Sequence, residues 1–318
     1  MIHLESTPPV NGSLHMNDGP MLQTPVERVI GQTSRQVLDT LAIEEPLEIQ
    51  LTYGPSKSRA TRSISVTMRT PGNDFDLAAG FLMTEGVVRD PNDIEQITYA
   101  RDSFAEDKSP QSMGALILGS KKNIVRVDLA ADVTVNLGSL QRNFYTTSGC
   151  GICGKASLLA LRTVCPPRAM NKFRVDAQLL CRLPERLRAF QAVFDRTGGL
   201  HGAGLFDSAG NLLALREDVG RHNAVDKLIG SEFLADRTPL RDRLLLLSGR
   251  ASFELLQKAL MGGFPMVAAV GAPSSLAVRV AKEFDITLVG FLREDHFNIY
   301  HGGENIDGYT PTAIGVGK

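Results

Sequence analysis

Two cysteines three positions apart carry the most reactive chemistry in the sequence. Cys150 and Cys153 form a CxxC pair within residues 149–154, where the other positions are three glycines and one isoleucine. The pair precedes a predicted short helix over residues 155–164. The positive end of that helix, together with Lys155, favours the thiolate over the thiol. A thiolate on a glycine-rich loop can attack a sulfur donor and then reach an acceptor, so the pattern favours a persulfide carrier.

Other uses of a CxxC pair fit the sequence less well. A structural zinc site needs four ligands, usually two such pairs, within one chain or across a dimer. Cys165 and Cys181 do not form a second pair. A thioredoxin-like redox pair follows a βαβ start, which is not evident here. A zinc deaminase needs a His-x-Glu motif, and the sequence has it only at His3–Glu5. We expect no catalytic metal, and the alternative function is a CxxC redox or zinc-dependent interaction protein.

The overall composition excludes several classes of protein. The 318 residues include 34 Lys plus Arg and 35 Asp plus Glu, so no broad electrostatic footprint for nucleic acid is expected. No apolar run approaches the roughly 20 residues that span a bilayer, and no secretory signal is visible. Four cysteines do not resemble the disulfide framework of a small secreted domain. We therefore expect a reduced, cytoplasmic protein without membrane insertion.

The hydrophobic pattern divides the chain into four regions. Residues 1–34 are polar and are predicted to be a disordered leader. Residues 35–140 are predicted to form a small mixed α+β domain, because two alternating runs flank a turn at Gly54–Pro55 and a helix follows. Residues 141–184 are predicted to be the CxxC loop and a connector. Residues 185–318 are predicted to form an α/β domain.

The C-terminal region alternates strands with amphipathic helices, which predicts crossover connections over a largely parallel sheet. The predicted strands cover residues 191–207, 211–218, 244–249, 265–272 and 286–292, and the predicted helices cover residues 221–229, 251–263 and 274–284. Ligands bind beyond the carboxyl ends of parallel strands, beside helix N-termini. We therefore expect a ligand at the turns that begin at Gly249, Gly271 and Gly290.

Two charged motifs belong to this predicted ligand site. Asp218 is predicted to cap a helix whose first turn carries Arg221 and His222, and Arg216 with the helix amides would complete an anion site. The alternative is a surface helix with solvated charges. In the turn Ser248–Ser252, Arg250 can bind a phosphate bidentately, whereas the alternative is an ordinary turn with a serine cap. No Walker lysine is present, so nucleotide hydrolysis is not expected.

Two further features are weaker. His201 could line the cavity, but a lone histidine is more often packed in the fold. Phe291 precedes the polar stretch Arg293–His296 at the end of a predicted strand. An aromatic ring beside an arginine suits a flat purine, although Phe291 alone would be interpreted as a core residue.

These motifs occur in the order of a known family. They are Ser148–Gly154, Thr197–Gly202, Arg216–Lys227, Ser248–Glu254, Gly271–Leu276 and Phe297–Tyr300. Over residues 36–305 the sequence resembles the FdhD family of formate dehydrogenase accessory proteins. The number and length of the motifs make the resemblance specific. One departure is His301, which stands where the family more usually has threonine.

The resemblance implies a function, a fold and a set of partners. A family member takes sulfur from a cysteine desulfurase and passes it to the bis-guanine-dinucleotide molybdenum cofactor of formate dehydrogenase. Cys150 would carry the persulfide and Cys153 would assist. The C-terminal domain would have a cytidine-deaminase-like α/β fold without zinc chemistry, and the protein would be a homodimer. The residues expected to bind the cofactor and its guanine nucleotide portions are His201, Arg216, Arg221, His222, Arg250, Ser252, Phe291, Leu292, Arg293, Glu294, Asp295 and His296.

Overall fold

A computed structural model describes residues 19–100, 122–135, 161–162, 165 and 172–310. Cys150, Cys153 and the predicted helix that follows them, apart from residues 161–162, lie outside the described residues. The strands are β1 (Met21–Ile30), β2 (Thr33–Ala42), β3 (Glu45–Tyr53), β4 (Ala60–Arg69), β5 (Ile94–Tyr99), β6 (Ile124–Leu129), β7 (Val175–Asp176), β8 (His201–Phe206), β9 (Leu212–Asp218), β10 (Leu244–Leu247), β11 (Met266–Ala269), β12 (Thr287–Gly290), β13 (Asn298–His301) and β14 (Ile306–Asp307). The helices are α1 (Asp74–Thr84), α2 (Ala177–Arg188), α3 (Ala192–Thr197), α4 (Arg221–Leu234), α5 (Phe253–Gly262) and α6 (Ser275–Glu283). The architecture is mixed α/β, as predicted.

The larger sheet contains six strands in the order β13-β12-β11-β10-β8-β9. The short apolar strands β10, β11 and β12 are parallel neighbours, and every residue in them is buried. The outer pairs β12–β13, β10–β8 and β8–β9 are antiparallel. The prediction of a largely parallel sheet therefore holds for the centre of the sheet and is wrong for its flanks. β8 and β9 are joined by a tight hairpin, which can connect only antiparallel strands.

The smaller sheet has the order β4-β3-β6-β5. β3 and β4 are antiparallel, which confirms the predicted pair around the turn at Gly54–Pro55. β6 pairs in parallel with β3 and antiparallel with β5. The apolar face of β3, with Leu47, Ile49 and Leu51, is fully buried against α1 and its neighbours.

Helices α1 and α4 join the two halves of the chain. They cross so closely that a Cβ at Gly80 would lie 1.9 Å from the carbonyl oxygen of Asp226, and one at Gly230 would lie 1.9 Å from that of Asp76. Only glycine permits this approach of two helix backbones. One hydrophobic cluster contains residues of both halves, so the predicted regions 35–140 and 185–318 share a core instead of having separate ones.

Part of the predicted disordered leader is ordered. β1 and β2 form a ten-residue antiparallel hairpin, so residues 21–34 are ordered as strand and turn. The hairpin is mostly exposed, with Val29 and Leu38 about two-thirds exposed. It carries no continuous apolar face, so its sequence lacks the pattern that predicts a strand. Residues 1–18 lie outside the described residues.

Two helices were not predicted. α2 runs through residue 184, so the predicted boundary between the connector and the C-terminal domain falls inside a helix. Its N-terminus is capped by Asp176, which accepts from two backbone amides, and its buried leucines form a second core under the larger sheet. α3 occupies Ala192–Thr197, where a strand was predicted, and ends at Gly198 with φ 66°. Among the described residues, no helix has the length and apolar composition to span a bilayer.

Candidate functional site

The carboxyl ends of the parallel strands meet the start of β8, as their pairing requires. The amide of Gly202 donates to Ser248 Oγ at 2.8 Å, which ties β8 to the turn after β10. A Cβ at Gly249 would lie 3.3 Å from His201 Nδ1, so the ring of His201 lies against this turn. The turn after β11 contacts both neighbours, because Gly271 N donates to Gly249 O at 2.8 Å and Phe291 N donates to Gly271 O at 3.1 Å. The three glycine turns predicted from the sequence therefore form one continuous edge.

Four basic side chains gather at this edge. Burial lowers the pKa of His201, and the nearby charges of Arg221, His222 and Arg250 lower it further, while Asp218 acts in the opposite direction. Neither Arg221 nor Arg250 forms an ion pair with a described residue, and Arg221 Nε is buried without a hydrogen-bond partner among them. Two guanidinium groups without an ion-pair partner among the described residues, beside two histidines, favour the binding of an anion.

Two helix N-termini face the same cluster. α4 begins after Gly220 and α5 begins after Ser252, and neither has a side-chain cap. By contrast, Ser274 caps α6 in the ordinary way, with its Oγ accepting from Ala277 N at 3.2 Å. Uncapped first turns leave backbone N–H groups available at the positive end of the helix dipole, which adds to the preference for an anion.

The prediction that Asp218 caps α4 is wrong. Asp218 is fully buried and forms an ion pair with Lys227 Nζ at 2.6 Å. Its other bonds come from Asn223 Nδ2 and from the backbone amides of Gly220 and Thr70. Lys227 also donates to Thr70 O at 2.8 Å. This buried network connects the end of β4 to the segment that presents Arg221 and His222. It therefore fixes the cluster of basic side chains against the other half of the protein.

Glu254 is a member of the cluster that the sequence did not single out. His222 Nε2 lies 3.9 Å from its carboxylate and 3.4 Å from Ser252 Oγ. The proximity of His222 is the main cause that lowers the pKa of Glu254 to about 2. Glu254 is therefore ionised at neutral pH and lies beside the ring of His222. Its position in the first turn of α5 was visible in the sequence, but its partner on α4 was not.

Arg216 is directed elsewhere. Its guanidinium donates twice to Asp76 on α1, at 3.0 and 3.1 Å, and once to Leu215 O at 3.0 Å. These contacts join the two halves of the protein. They leave all three guanidinium nitrogens of Arg216 already engaged within the protein.

The stretch from Phe291 to His296 follows β12 at the same edge. Phe291 has φ 53°, unusual for a residue with a side chain, and its ring is 40% exposed. Leu292 is fully buried, and Arg293 donates to the carbonyl oxygens of Val270 and Leu292 at 2.6 and 2.8 Å, so these two residues hold the backbone in place. Glu294, Asp295 and His296 are exposed, and His296 Nδ1 lies 2.7 Å from the carboxylate of Asp295.

The described residues include two other thiols. Burial raises the pKa of Cys181, and the charge of Asp295 raises it further, so its thiolate is disfavoured. Cys165 is half-buried, with its Sγ 3.7 Å from the sulfur of Met261. No group of three His, Cys, Asp or Glu side chains in the described part of the chain is placed to hold a metal ion.

Comparison with known proteins gives consistent matches. The FdhD/NarQ family matches residues 42–307. The sulfur carrier protein FdhD of Streptomyces coelicolor is 51% identical over 271 residues, covering 84% of this chain and 89% of its own. That of Mycobacterium tuberculosis is 49% identical over 269 residues, covering 84% and 92%. The crystal structure of a formate dehydrogenase accessory protein from Desulfotalea psychrophila has the same fold, with a TM-score of 0.65 and 22% identity over 90% of this chain and 99% of that one.

Proposed function

Because the chain belongs to the FdhD/NarQ family, we propose that it is a sulfur carrier that serves formate dehydrogenase. It takes sulfur from a cysteine desulfurase as a persulfide on Cys150 and passes it to the bis-guanine-dinucleotide molybdenum cofactor, which is its substrate. The observation that supports the cofactor as sulfur acceptor is the group of basic side chains at the carboxyl ends of the parallel strands. We call this group the cation cluster; it consists of His201, Arg221, His222 and Arg250. We further propose that the protein is cytoplasmic and homodimeric, and that its C-terminal half follows the cytidine-deaminase topology without a catalytic metal of its own.

The cation cluster fits the pyrophosphates of such a cofactor. Arg221 and Arg250 are cations without an anionic partner among the described residues, and the amides of α4 and α5 lie beside them. Gly271 allows two backbones to approach, since a Cβ there would lie 2.8 Å from Arg250 N. Guanidinium groups and helix N-termini are the donors that phosphates prefer. The same edge also carries Ser252, His222 and His201, which complete the set of side chains proposed to bind the pyrophosphates.

The guanine base is assigned to the stretch after β12. Phe291 offers an exposed ring for stacking, and the carboxylates of Glu294 and Asp295 are acceptors for the N–H groups on the edge of guanine. Leu292 and Arg293 hold the backbone of this stretch in place, and so they contribute to binding by positioning it. Adenine lacks the same pair of edge donors, so the site selects guanine.

The cysteine pair can reach the cluster. Leu161 is buried in the core, and Arg162 pairs with Glu283 at the end of α6 that is remote from the cluster. α6 has nine residues and is about 13 Å long. If the predicted helix begins at Lys155, its turns up to Leu161 cover about 9 Å. The five residue steps from Lys155 to Cys150 can extend by about 17 Å more, so the total reach is about twice the length of α6. The tether therefore permits contact between the persulfide and a bound cofactor.

Sulfur transfer uses both thiols: Cys150 accepts the sulfur, and Cys153 releases it. On loading, the Cys150 thiolate attacks the terminal sulfur of the desulfurase persulfide, and the desulfurase thiolate leaves. On delivery, the Cys153 thiolate attacks Cys150 Sγ, a Cys150–Cys153 disulfide forms, and hydrosulfide leaves for the cofactor. The two electrons that reduce the sulfane sulfur come from the two thiols. Reduction of the disulfide by an external thiol then restores the carrier.

GDP is expected to bind measurably to the protein and ADP more weakly, and added salt is expected to weaken GDP binding because it screens the phosphate contacts. Arg250→Ala should reduce the free energy of GDP binding by about 1.5–3 kcal/mol, the range for a hydrogen bond to a charged group. Isothermal titration calorimetry measures each affinity.

Arg243→Ala is the matched control, because Arg243 lies at the opposite end of β10 and pairs with Asp242. It should leave the GDP affinity unchanged, and Arg250→Ala should leave persulfide loading of Cys150 intact. Equal affinities for GDP and ADP, or an unaltered Arg250→Ala protein, would place the cofactor elsewhere.

GDP affinity should rise as the pH falls from about 8 to about 6, in part through His201. In the free protein, burial and the surrounding cations hold the pKa of His201 below its usual value of 6.5. Bound phosphate offsets those cations and raises the pKa, so binding is accompanied by proton uptake and is strengthened at lower pH. His201→Gln should flatten the pH dependence measured by calorimetry. An identical slope in the variant would exclude His201 as the linked group.

A further inference from the structure

Among the described residues, β9 is an edge strand of the larger sheet. Ser248 N donates to Gly202 O at 3.0 Å, so Gly202 directs its backbone groups towards β10. Backbone groups alternate along a strand, and the odd-numbered residues of β8 therefore bond to β9. Their partners in the register are Asp218, Arg216 and Ala214. The residues between these partners, Leu215 and Glu217, direct their backbone groups away from β8. Leu213 stands at a bulge, because Leu205 pairs with Ala214 and Phe206 pairs with Leu212.

A groove runs along this edge. Its volume is about 600 Å³, and its walls include Pro20, the loop from Thr70 to Asn73, Phe190 and Val193. Two apolar side chains at the groove are unusually exposed: Phe190 at 65% and Leu213 at 47%. The groove therefore combines unpaired strand backbone with apolar walls, which is the arrangement that binds an extended peptide as an added strand.

The charged groups of the groove already have partners. Arg216 is held by Asp76 and covers Leu215 O, and the Glu217 carboxylate accepts from the amides of Val193 and Phe194 at 3.2 and 3.0 Å. Lys227 is paired with Asp218. An occupant consequently meets apolar surface and backbone groups, and its side chains facing the groove should be apolar.

The walls limit the kind of strand that can enter. The Thr70–Asn73 loop and Phe190 line the groove together with β9. In a second copy the same residues stand beside β9, so the edge of a complete sheet fits the groove less well than a single strand does. The occupant is a single strand without neighbours, and a chain terminus or a linear segment meets that condition.

We propose that residues 13–17 of this chain bind along β9 in this groove. Residues 1–18 lie outside the described residues, and the described chain begins beside the groove, because Pro20 forms part of its wall. The sequence Ser13-Leu14-His15-Met16-Asn17 alternates polar and apolar residues, as a strand with one apolar face requires. Leu14 and Met16 would face Phe190 and Leu213. Four residue steps span about 13 Å, which matches the distance along β9 from Leu213 to Glu217.

Amide hydrogen exchange of the full-length protein tests this proposal. The outward amides of Leu215 and Glu217 should be protected, and the double substitution L14K/M16K should make them exchange at least about tenfold faster. The matched control H15K/N17K changes the opposite face and should leave the protection unchanged. The inward amide of Arg216 serves as an internal reference for the stability of the sheet.

Three outcomes would overturn the proposal. Outward amides that exchange without protection in the full-length protein would mean that the groove is empty. Equal protection in the L14K/M16K protein would mean that another segment or partner occupies it. Protection that falls on dilution would assign the occupant to a second copy of the chain.

Discussion

Cys150→Ser is expected to abolish both sulfur loading and activation of formate dehydrogenase, because a hydroxyl oxygen cannot hold sulfane sulfur. Cys153→Ser should load normally at Cys150 but should not release the sulfur, since the thiol that displaces hydrosulfide is absent. Mass spectrometry of the native protein after incubation with cysteine and a cysteine desulfurase measures loading as an adduct of one sulfur atom. Reactivation of sulfur-free formate dehydrogenase measures delivery.

The other two cysteines provide matched controls. Burial and Asp295 raise the pKa of Cys181, and Cys165 is half-buried against Met261, so Cys181→Ser and Cys165→Ser should load and deliver sulfur normally. Full activation by the Cys150→Ser protein would contradict the carrier function. One zinc ion per chain or per dimer, bound in place of sulfur, would support the alternative of a zinc-dependent interaction protein.

The fold could be predicted where burial leaves a pattern in the sequence. β10, β11 and β12 are apolar runs of four residues between amphipathic helices, and all three were found near their predicted positions. The β1–β2 hairpin was missed because it is largely exposed, so neither strand needs an apolar face. α3 was mistaken for a strand because six residues are too few for a helical period to show.

The motifs of the candidate site could be predicted from the sequence, but the contacts between their side chains could not. The turns at Gly249, Gly271 and Gly290 were expected to meet because parallel strands end on the same side of a sheet. That Asp218 is buried with Lys227 depends on Thr70, about 150 residues earlier in the chain, and no local pattern records such a contact. Arg216 is close in sequence to the predicted anion ligands, but its guanidinium is bound by Asp76 on α1, a contact that no local pattern shows.

The buried ion pair makes a strong prediction about stability. Lys227→Met should lower the free energy of unfolding by about 3–5 kcal/mol, because it leaves the carboxylate of Asp218 buried without a cation. Asp218 is 0% exposed and cannot recover its hydration by turning outward. Chemical denaturation of the full-length protein measures the loss.

The same pair allows a matched set of variants. Arg28→Met breaks the exposed Arg28–Asp39 pair, whose atoms are 3.7 Å apart, and should cost less than about 1 kcal/mol. Asp218→Asn combined with Lys227→Met removes both charges, keeps an amide near Gly220 and Thr70, and should recover part of the stability. A loss below about 1 kcal/mol for Lys227→Met alone would mean that water reaches Asp218. In that case the network could not hold Arg221 and His222 in place. The geometry of the cation cluster would then depend on the turns after β10, β11 and β12 alone.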